Sequence, residues 1–167
     1  SFVNHNALDN LEIEQLRKLE VDICIEAELD EQWSFVGNKK NQLWLWYAID
    51  KQTKIVLAFI FGKRTDNVFQ QLLELLKSVH IDHYYSDDWG SYSKFLEKNK
   101  HTIGKRNTQN IERKNLDLRT RIKRLARKTI CFSKSEEMHI KVIGSFINKY
   151  LFWHCYINID LVYLQNT

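Results

Sequence analysis

The sequence predicts an α/β fold with a central mixed sheet and helices on both faces. Three observations carry that prediction. Residues 21–30 alternate apolar and polar at period two, as a half-buried strand does. Residues 43–49 and 55–61 are nearly uninterrupted apolar runs, which suit central strands covered on both sides. After residue 65 the apolar spacing changes to three and four, and strand-like and helix-like segments then alternate.

The elements follow in order. Leu8, Leu11, Leu16 and Leu19 sit among acids and suggest a short helix or arm over residues 1–20. In the first strand, Val21, Ile23, Ile25, Ala27 and Leu29 form one face, with Asp30 on the opposite, acidic face. Glu26 and Glu28 on that face read as surface or cleft rim. Val36-Gly37-Asn38-Lys39 reads as a turn, and residues 50–54 as a hairpin loop between the two apolar runs. Val68, Leu72, Leu73, Leu75, Leu76 and Val79 predict a helix of about four turns, with Thr65 as its N-cap. Residues 81–86 predict a short strand, 89–98 a short helix and 101–103 another short strand. A long helix is expected from Thr108 or Asn110 through Lys128, with Ile111, Leu118, Ile122 and Leu125 on one face. Ser133 or Ser135 then caps a last helix through Phe146. Residues 21–150 make one domain, and 151–167 a tail with Phe152, Trp153, Tyr156 and Tyr163.

At 167 residues the chain can bury about 70% of its unfolded surface in one core. It has no proline and only five glycines, so its turns rely on Asn, Asp, Ser and Lys. The tryptophans at 33, 44 and 46 and the Tyr84-Tyr85 pair read as core or sheet packing. The three cysteines, Cys24, Cys131 and Cys155, contain no C-x-x-C, which argues against a disulfide framework or a zinc knuckle. No apolar run is long enough to span a bilayer, and no leader pattern opens the chain, so a cytoplasmic location without a membrane partner is expected.

The net charge of +4 is unevenly spread. Residues 1–31 hold nine acids against Arg17 and Lys18, whereas residues 100–128 hold eleven Lys and Arg against Glu112 and Asp117. Such asymmetry points to a polyanion, most naturally nucleic acid.

Three carboxylates stand out against this background. Asp30 lies on the first strand. Asp87, with Asp88 beside it, ends the strand at 81–86, where open α/β sheets place their sites. Glu112, 25 positions after Asp87, opens the long basic helix. Taken singly each has an ordinary reading: Asp87 or Asp88 would cap the helix that follows, and Glu112 suits the positive end of its own helix. Converging, they would repel one another. Mg²⁺ or Mn²⁺, hard cations that take oxygen ligands, would relieve that repulsion. Two such ions about 3.5–4 Å apart serve phosphoryl transfer. None of the six histidines pairs with another at metal spacing, although His83 lies close to Asp87 in the chain.

Several segments together resemble the catalytic part, of the InsB type, of insertion-sequence-one transposases. They are Glu28-Leu29-Asp30-Glu31-Gln32-Trp33-Ser34-Phe35-Val36-Gly37, Leu43-Trp44-Leu45-Trp46-Tyr47-Ala48 and Phe61-Gly62-Lys63-Arg64-Thr65. Ser86-Asp87-Asp88-Trp89 through Tyr92, the segment Thr108 to Arg119 around Asn110-Ile111-Glu112-Arg113-Lys114-Asn115, and Phe132-Ser133-Lys134-Ser135 through Gly144 complete the set. The resemblance covers roughly residues 21–150. It implies a ribonuclease-H-like fold and a DDE transposase that hydrolyses a phosphodiester at the element's ends and joins the freed strand to target DNA.

The resemblance carries the catalytic and metal-ligating roles to Asp30, Asp87 and Glu112, and prefers Asp87 to Asp88. It implies DNA contacts for Arg113, Asn115 and Arg119, or a part for them in orienting Glu112. Lys105, Arg106 and Lys123 join the expected phosphate contacts through the basic stretch. The implied cofactor is Mg²⁺ or Mn²⁺ as two ions. The implied partners are transposon ends, target DNA and further copies of the chain. The family's zinc-ribbon and helix-turn-helix region has no matching cysteine spacing here, so end recognition is expected from an upstream module. A nuclease of the same fold, or an inactive DNA-binding remnant, are the alternative readings.

Overall fold

A computed structural model of the chain describes residues 26–151 except 127 and 129. The expected arm at 1–20, the start of the first strand and nearly all of the tail at 151–167 lie outside the described residues. The elements are β1 (Glu26–Val36), β2 (Asn38–Asp50), β3 (Val56–Gly62), α1 (Asp66–Leu76), β4 (His83–Ser86), α2 (Gly90–Phe95), β5 (His101–Ile103), α3 (Gln109–Arg121) and α4 (Glu136–Tyr150). The sheet runs in the order β3-β2-β1-β4-β5. β1, β2 and β3 pair antiparallel, whereas β4 pairs parallel to β1, and β5 parallel to β4. The sheet is therefore mixed, with an antiparallel meander joined to a parallel half.

The turns show how the meander closes. Gly37, at φ +74°, reverses the chain between β1 and β2 in a single residue, a conformation that a Cβ disfavours. Its N–H donates to the carbonyl of Ser133 at 2.7 Å, tying the hairpin to the segment before α4. Between β2 and β3 the Asp50 carboxylate accepts from the Thr53 amide at 2.7 Å and from the Thr53 hydroxyl. That Asx turn substitutes for the glycine the loop lacks. At the end of β3, Gly62 lets α1 approach closely, since a Cβ there would lie 2.7 Å from Val68 Cγ2.

Two apolar cores lie on opposite faces of the sheet. On one, Ala27, Leu29, Trp46, Ala48, Leu57 and Ala58 pack against Phe69, Leu72 and Leu76 of α1 and Tyr92 of α2. On the other, Leu45, Tyr47, Ile49, Val56 and Phe59 pack against Ile111 and Leu118 of α3, Ile122, Leu125, and Ile143 and Ile147 of α4. The expected helices on both faces are present.

Four local expectations are corrected. β1 continues past Asp30 to Val36, with Phe35 and Val36 buried, and β2 begins five residues before the apolar run, at Asn38. α1 ends at Leu76. α3 ends at Arg121 instead of Lys128, where Ile122 turns to an extended conformation (φ −110°, ψ 97°) before the 3₁₀ turn Lys123–Leu125. A continuous helix would stack Arg119 on Lys123, and Arg124 on Lys128, like charges at i,i+4 that oppose helix extension. The break instead buries Leu125 in the second core. Of the two candidate caps for α4, Ser135 is the one, its Oγ accepting from Met138 N at 3.3 Å.

Candidate active site

β1 contributes only polar residues to the second face. Glu28, Asp30, Gln32 and Ser34 alternate with Ala27, Leu29 and the others, so all four point at the α3–α4 layer. Glu28, expected at the surface, is fully buried. Its carboxylate accepts from the Ile111 N–H at 2.8 Å and from Asn110 Nδ2 at 2.7 Å, which places the start of α3 over β1. Ser34 meets His139 of α4, its Oγ 2.8 Å from Nε2. Gln32 is 1% exposed, and neither its Oε1 nor its Nε2 has a hydrogen-bond partner among the described residues.

Asp30 stands between Glu28 and Gln32, directly across from Tyr47 on β2. Its Oδ1 accepts from the Glu31 N–H at 2.8 Å, and its Oδ2 from Asn115 Nδ2 at 2.5 Å. Asn115 is held in turn by Tyr47, whose hydroxyl donates to Asn115 Oδ1 at 2.7 Å. Burial raises the pKa of Asp30 to about 7, with the charges of Glu31 and Asp87 adding to the effect against these hydrogen bonds.

Asp87 follows β4 immediately. The parallel register pairs Glu28 with Tyr85, and two residues further along both strands this brings Asp30 beside Asp87. Asp87 Oδ1 accepts from Trp89 N at 3.1 Å, so the carboxylate also braces the entry to α2. Asp87 is half-buried and Asp88 exposed. The loop at 104–107 lies against the same strand end, with Gly104 N donating to Ser86 O at 3.0 Å. The exposed Lys105 and Arg106 therefore stand beside the end of β4.

Glu31, next to Asp30, points to the other face. Its carboxylate takes the Tyr92 hydroxyl at 2.5 Å and pairs with Arg64 at 2.6 Å, while the Arg64 guanidinium lies over the rings of Trp44 and Trp89 at 5.1 and 5.0 Å. Burial still raises the Glu31 pKa, and Asp87 contributes to that rise. The negative charge of Asp87 is thus felt on both faces of β1.

The other expected residues take distinct positions. Glu112 is exposed in the first turn of α3, one turn before Asn115. Among the described residues no three of His, Cys, Asp and Glu gather closely enough to hold a metal ion. Asp30 and Asp87 are close enough to feel each other's charge, whereas Glu112 is exposed to solvent. Arg113 and Lys123 are exposed on the same helix and the turn after it, and Arg119 is half-buried. Asn115, expected to face DNA, is turned inward with its amide engaged on Asp30 and Tyr47. His83 is held by Thr102 Oγ1 at 2.8 Å. Sequence reasoning missed Glu28, Glu31, Tyr47, Tyr92 and His139. The available signal was the alternation of polar residues from 28 to 34 beside an aromatic on the neighbouring strand.

The donor chemistry of the Asp30–Asp87 pair suits a hard divalent cation. All the groups are carboxylate oxygens, and a cation would offset the repulsion that raises the proton affinity of Asp30.

Comparison with solved structures bears on the fold. A chain of the simian T-cell lymphotropic virus intasome, solved in complex with PP2A regulatory subunit B56 gamma, matches with a TM-score of 0.55 at 15% identity. The match covers 83% of this chain and 54% of that one, so this chain spans about half the length of its viral counterpart. Together with the strand order, this likeness defines a ribonuclease-H-like domain.

Sequence comparison is more specific. The profile for IS1 transposase matches residues 22–153. The InsB protein of insertion element iso-IS1n from Shigella dysenteriae is 61% identical over 131 residues, 78% of this chain and all of that protein. InsB of insertion element IS1 4 from Escherichia coli (strain K12) is 46% identical over 127 residues, 76% of each chain. The chain belongs to the IS1 transposase family.

Proposed function

We propose that this chain is the catalytic unit of a DDE transposase, a metal-dependent enzyme that cleaves and rejoins DNA phosphodiesters. The carrying observation is the meeting of Asp30 on β1 with Asp87 at the end of the adjoining parallel strand, beside the exposed Lys105 and Arg106. Asp30 and Asp87 would hold Mg²⁺ or Mn²⁺. Glu112 would complete the ligand set by moving from its exposed place in the first turn of α3. Divalent cations held there would supply Lewis acidity at the scissile phosphate and lower the cost of forming the attacking oxyanion.

In the first step water attacks phosphorus at the element's end, the bond to the 3′ oxygen breaks, and a free 3′-hydroxyl and a 5′-phosphate result. In the second, that hydroxyl attacks a target phosphate, and the target's own 3′ oxygen leaves. Lys105, Arg106, Arg113, Arg119 and Lys123 would position phosphates without reading bases. Asn115 is not in this group, because its amide is turned inward onto Asp30. Both ends of an element must be present together for joining, so the active complex would contain more than one copy.

The test is strand transfer with a pre-cleaved end and Mg²⁺. Asp87→Asn should abolish joined products while leaving metal-free DNA binding within about twofold. Full activity of that variant would overturn the assignment. Nicks without joined products would favour a nuclease of this fold, and DNA binding without metal-dependent cleavage an inactive remnant.

A further inference from the structure

Asp30, Asn115 and Tyr47 come from three elements, β1, α3 and β2, and close into a small hydrogen-bonded unit. Tyr47 is fully buried and faces Asp30 across the antiparallel pair. Its hydroxyl donates to Asn115 Oδ1 at 2.7 Å and approaches the Ile111 carbonyl at 3.3 Å. Asn115 Nδ2 then donates to Asp30 Oδ2 at 2.5 Å. An asparagine amide has an oxygen end and a nitrogen end of nearly the same shape, and its neighbours decide which faces where. A phenol that burial keeps protonated is a donor here, so the oxygen end belongs toward Tyr47 and the nitrogen end toward Asp30. Reversed, the amide would set its oxygen against the Asp30 carboxylate, and the hydroxyl would have to turn its hydrogen to the more distant Ile111 carbonyl.

We propose that Tyr47 and Asn115 are a positioning pair for Asp30, in which the Tyr47 hydroxyl fixes the Asn115 amide so that its nitrogen holds Asp30 Oδ2 in the orientation needed for ligation. The inference rests on the proposed role of Asp30. It assigns to Asn115 a task inside the site in place of a contact with DNA. Asn115 follows Glu112 by about one turn of α3, and its bond to Asp30 ties that part of the helix to β1. Groups that orient a metal ligand from outside it typically account for 10–100-fold in metal affinity.

The experiment is titration calorimetry of the full chain with Mn²⁺, without DNA, for the parent and for Tyr47→Phe, Asn115→Ala, Asn115→Asp and the Tyr47→Phe/Asn115→Ala double variant. Tyr47→Phe removes one oxygen and keeps the packing, so it tests the idea even if the Asn115 variants fold poorly. Asn115→Asp keeps the shape and loses the donor. Tyr47→Phe should weaken Mn²⁺ binding about tenfold, and Asn115→Ala and Asn115→Asp by at least as much. The double variant should be no weaker than Asn115→Ala alone, since Tyr47 acts through Asn115. In strand transfer, the Mg²⁺ concentration for half activity should rise while the rate at saturating Mg²⁺ recovers.

Mn²⁺ affinity within twofold of the parent in Tyr47→Phe, or losses that simply add in the double variant, would overturn the proposal. Asp30→Asn is the control that separates this from the parent reading. If Asp30→Asn keeps Mn²⁺ binding and cleavage, the site assignment itself fails. If it loses both while Tyr47→Phe and Asn115→Ala bind normally, only the positioning pair fails.

Discussion

Asp30 is a carboxylate held where its charge is disfavoured by burial and by Glu31 and Asp87. In the metal-free protein this is a cost to stability, and its sign follows from linkage. With the folded pKa raised to about 7 against 3.8 for a free aspartate carboxyl, the folded state binds the proton more tightly. Asp30 therefore destabilises the fold progressively as pH rises from about 4 to 7. Asp30→Asn should raise the unfolding free energy at pH 8 by about 1 kcal/mol in urea titrations without divalent ions, allowing for one mismatched hydrogen bond. The gain should vanish below about pH 4, where the carboxyl is protonated in both states. Gln32, two residues on, is a buried amide with no partner among the described residues. Gln32→Met keeps the volume and removes the desolvation cost, so it should stabilise the fold by about 1 kcal/mol by the same measurement.

At the scale of elements, the polar face of β1 is answered by α3 and α4. Glu28 is met by Asn110 and the Ile111 amide, Asp30 by Asn115, and Ser34 by His139. His139 also reaches Ser133 through Nδ1 at 2.7 Å, and the Arg124 guanidinium donates to the same Ser133 oxygen. Because the Ser34 hydroxyl donates to the Leu43 carbonyl at 3.2 Å, the consistent tautomer carries its proton on Nε2 and accepts from Ser133 at Nδ1. Burial, with Arg124 adding to it, lowers the His139 pKa to about 4. The unfolded chain then binds a proton near pH 6.5 that the folded one refuses, so stability contributed at this histidine is full above about pH 6.5 and is lost as pH falls toward 4. The expected loss is about 3 kcal/mol in urea titrations between those limits, and His139→Gln should flatten that part of the profile. Ser135→Ala should cost α4 about 1 kcal/mol by removing its cap.

The elements differ in how legible they were. β2, β3 and α1 stood out because burial on both faces leaves an unbroken apolar run, and burial on one face leaves a helical stripe. β1 was read short because Gln32 and Ser34 interrupt the pattern that burial usually writes. Their reason for being inside is the helix layer above them, which the strand's own residues do not announce. The end of α3 was missed because local spacing continued past it. Like-charge stacking and the burial of Leu125 decided it instead.

At the scale of the molecule, exposed cations stand at the end of the parallel strand β4 and along α3, which covers the meander. Lys105 and Arg106 stand at the end of β4, and Arg113 and Lys123 lie exposed along α3 and the turn after it. If these cations contact phosphates, DNA affinity should fall steeply with salt, with a slope in log–log form near −0.9 per phosphate neutralised. Lys105→Ala and Arg106→Ala should each reduce that slope by about 1 in fluorescence anisotropy, uniformly across DNA sequences. Unchanged slopes would place the DNA on another face.

Residue types and their order along the chain determined the α/β class, the central strands and the basic segment. These features follow from local periodicity and from chemistry carried by single side chains. Only the tertiary structure decided that Asp30 lies beside Asp87, that Glu28 is buried, and that Asn115 turns inward to Asp30 while Glu112 stays exposed. The physical reason is that such outcomes depend on strand register and on the height of α3 above β1. Both are set by hydrogen bonds between residues about 60 to 85 positions apart, such as Tyr47 with Asn115 and Asn115 with Asp30.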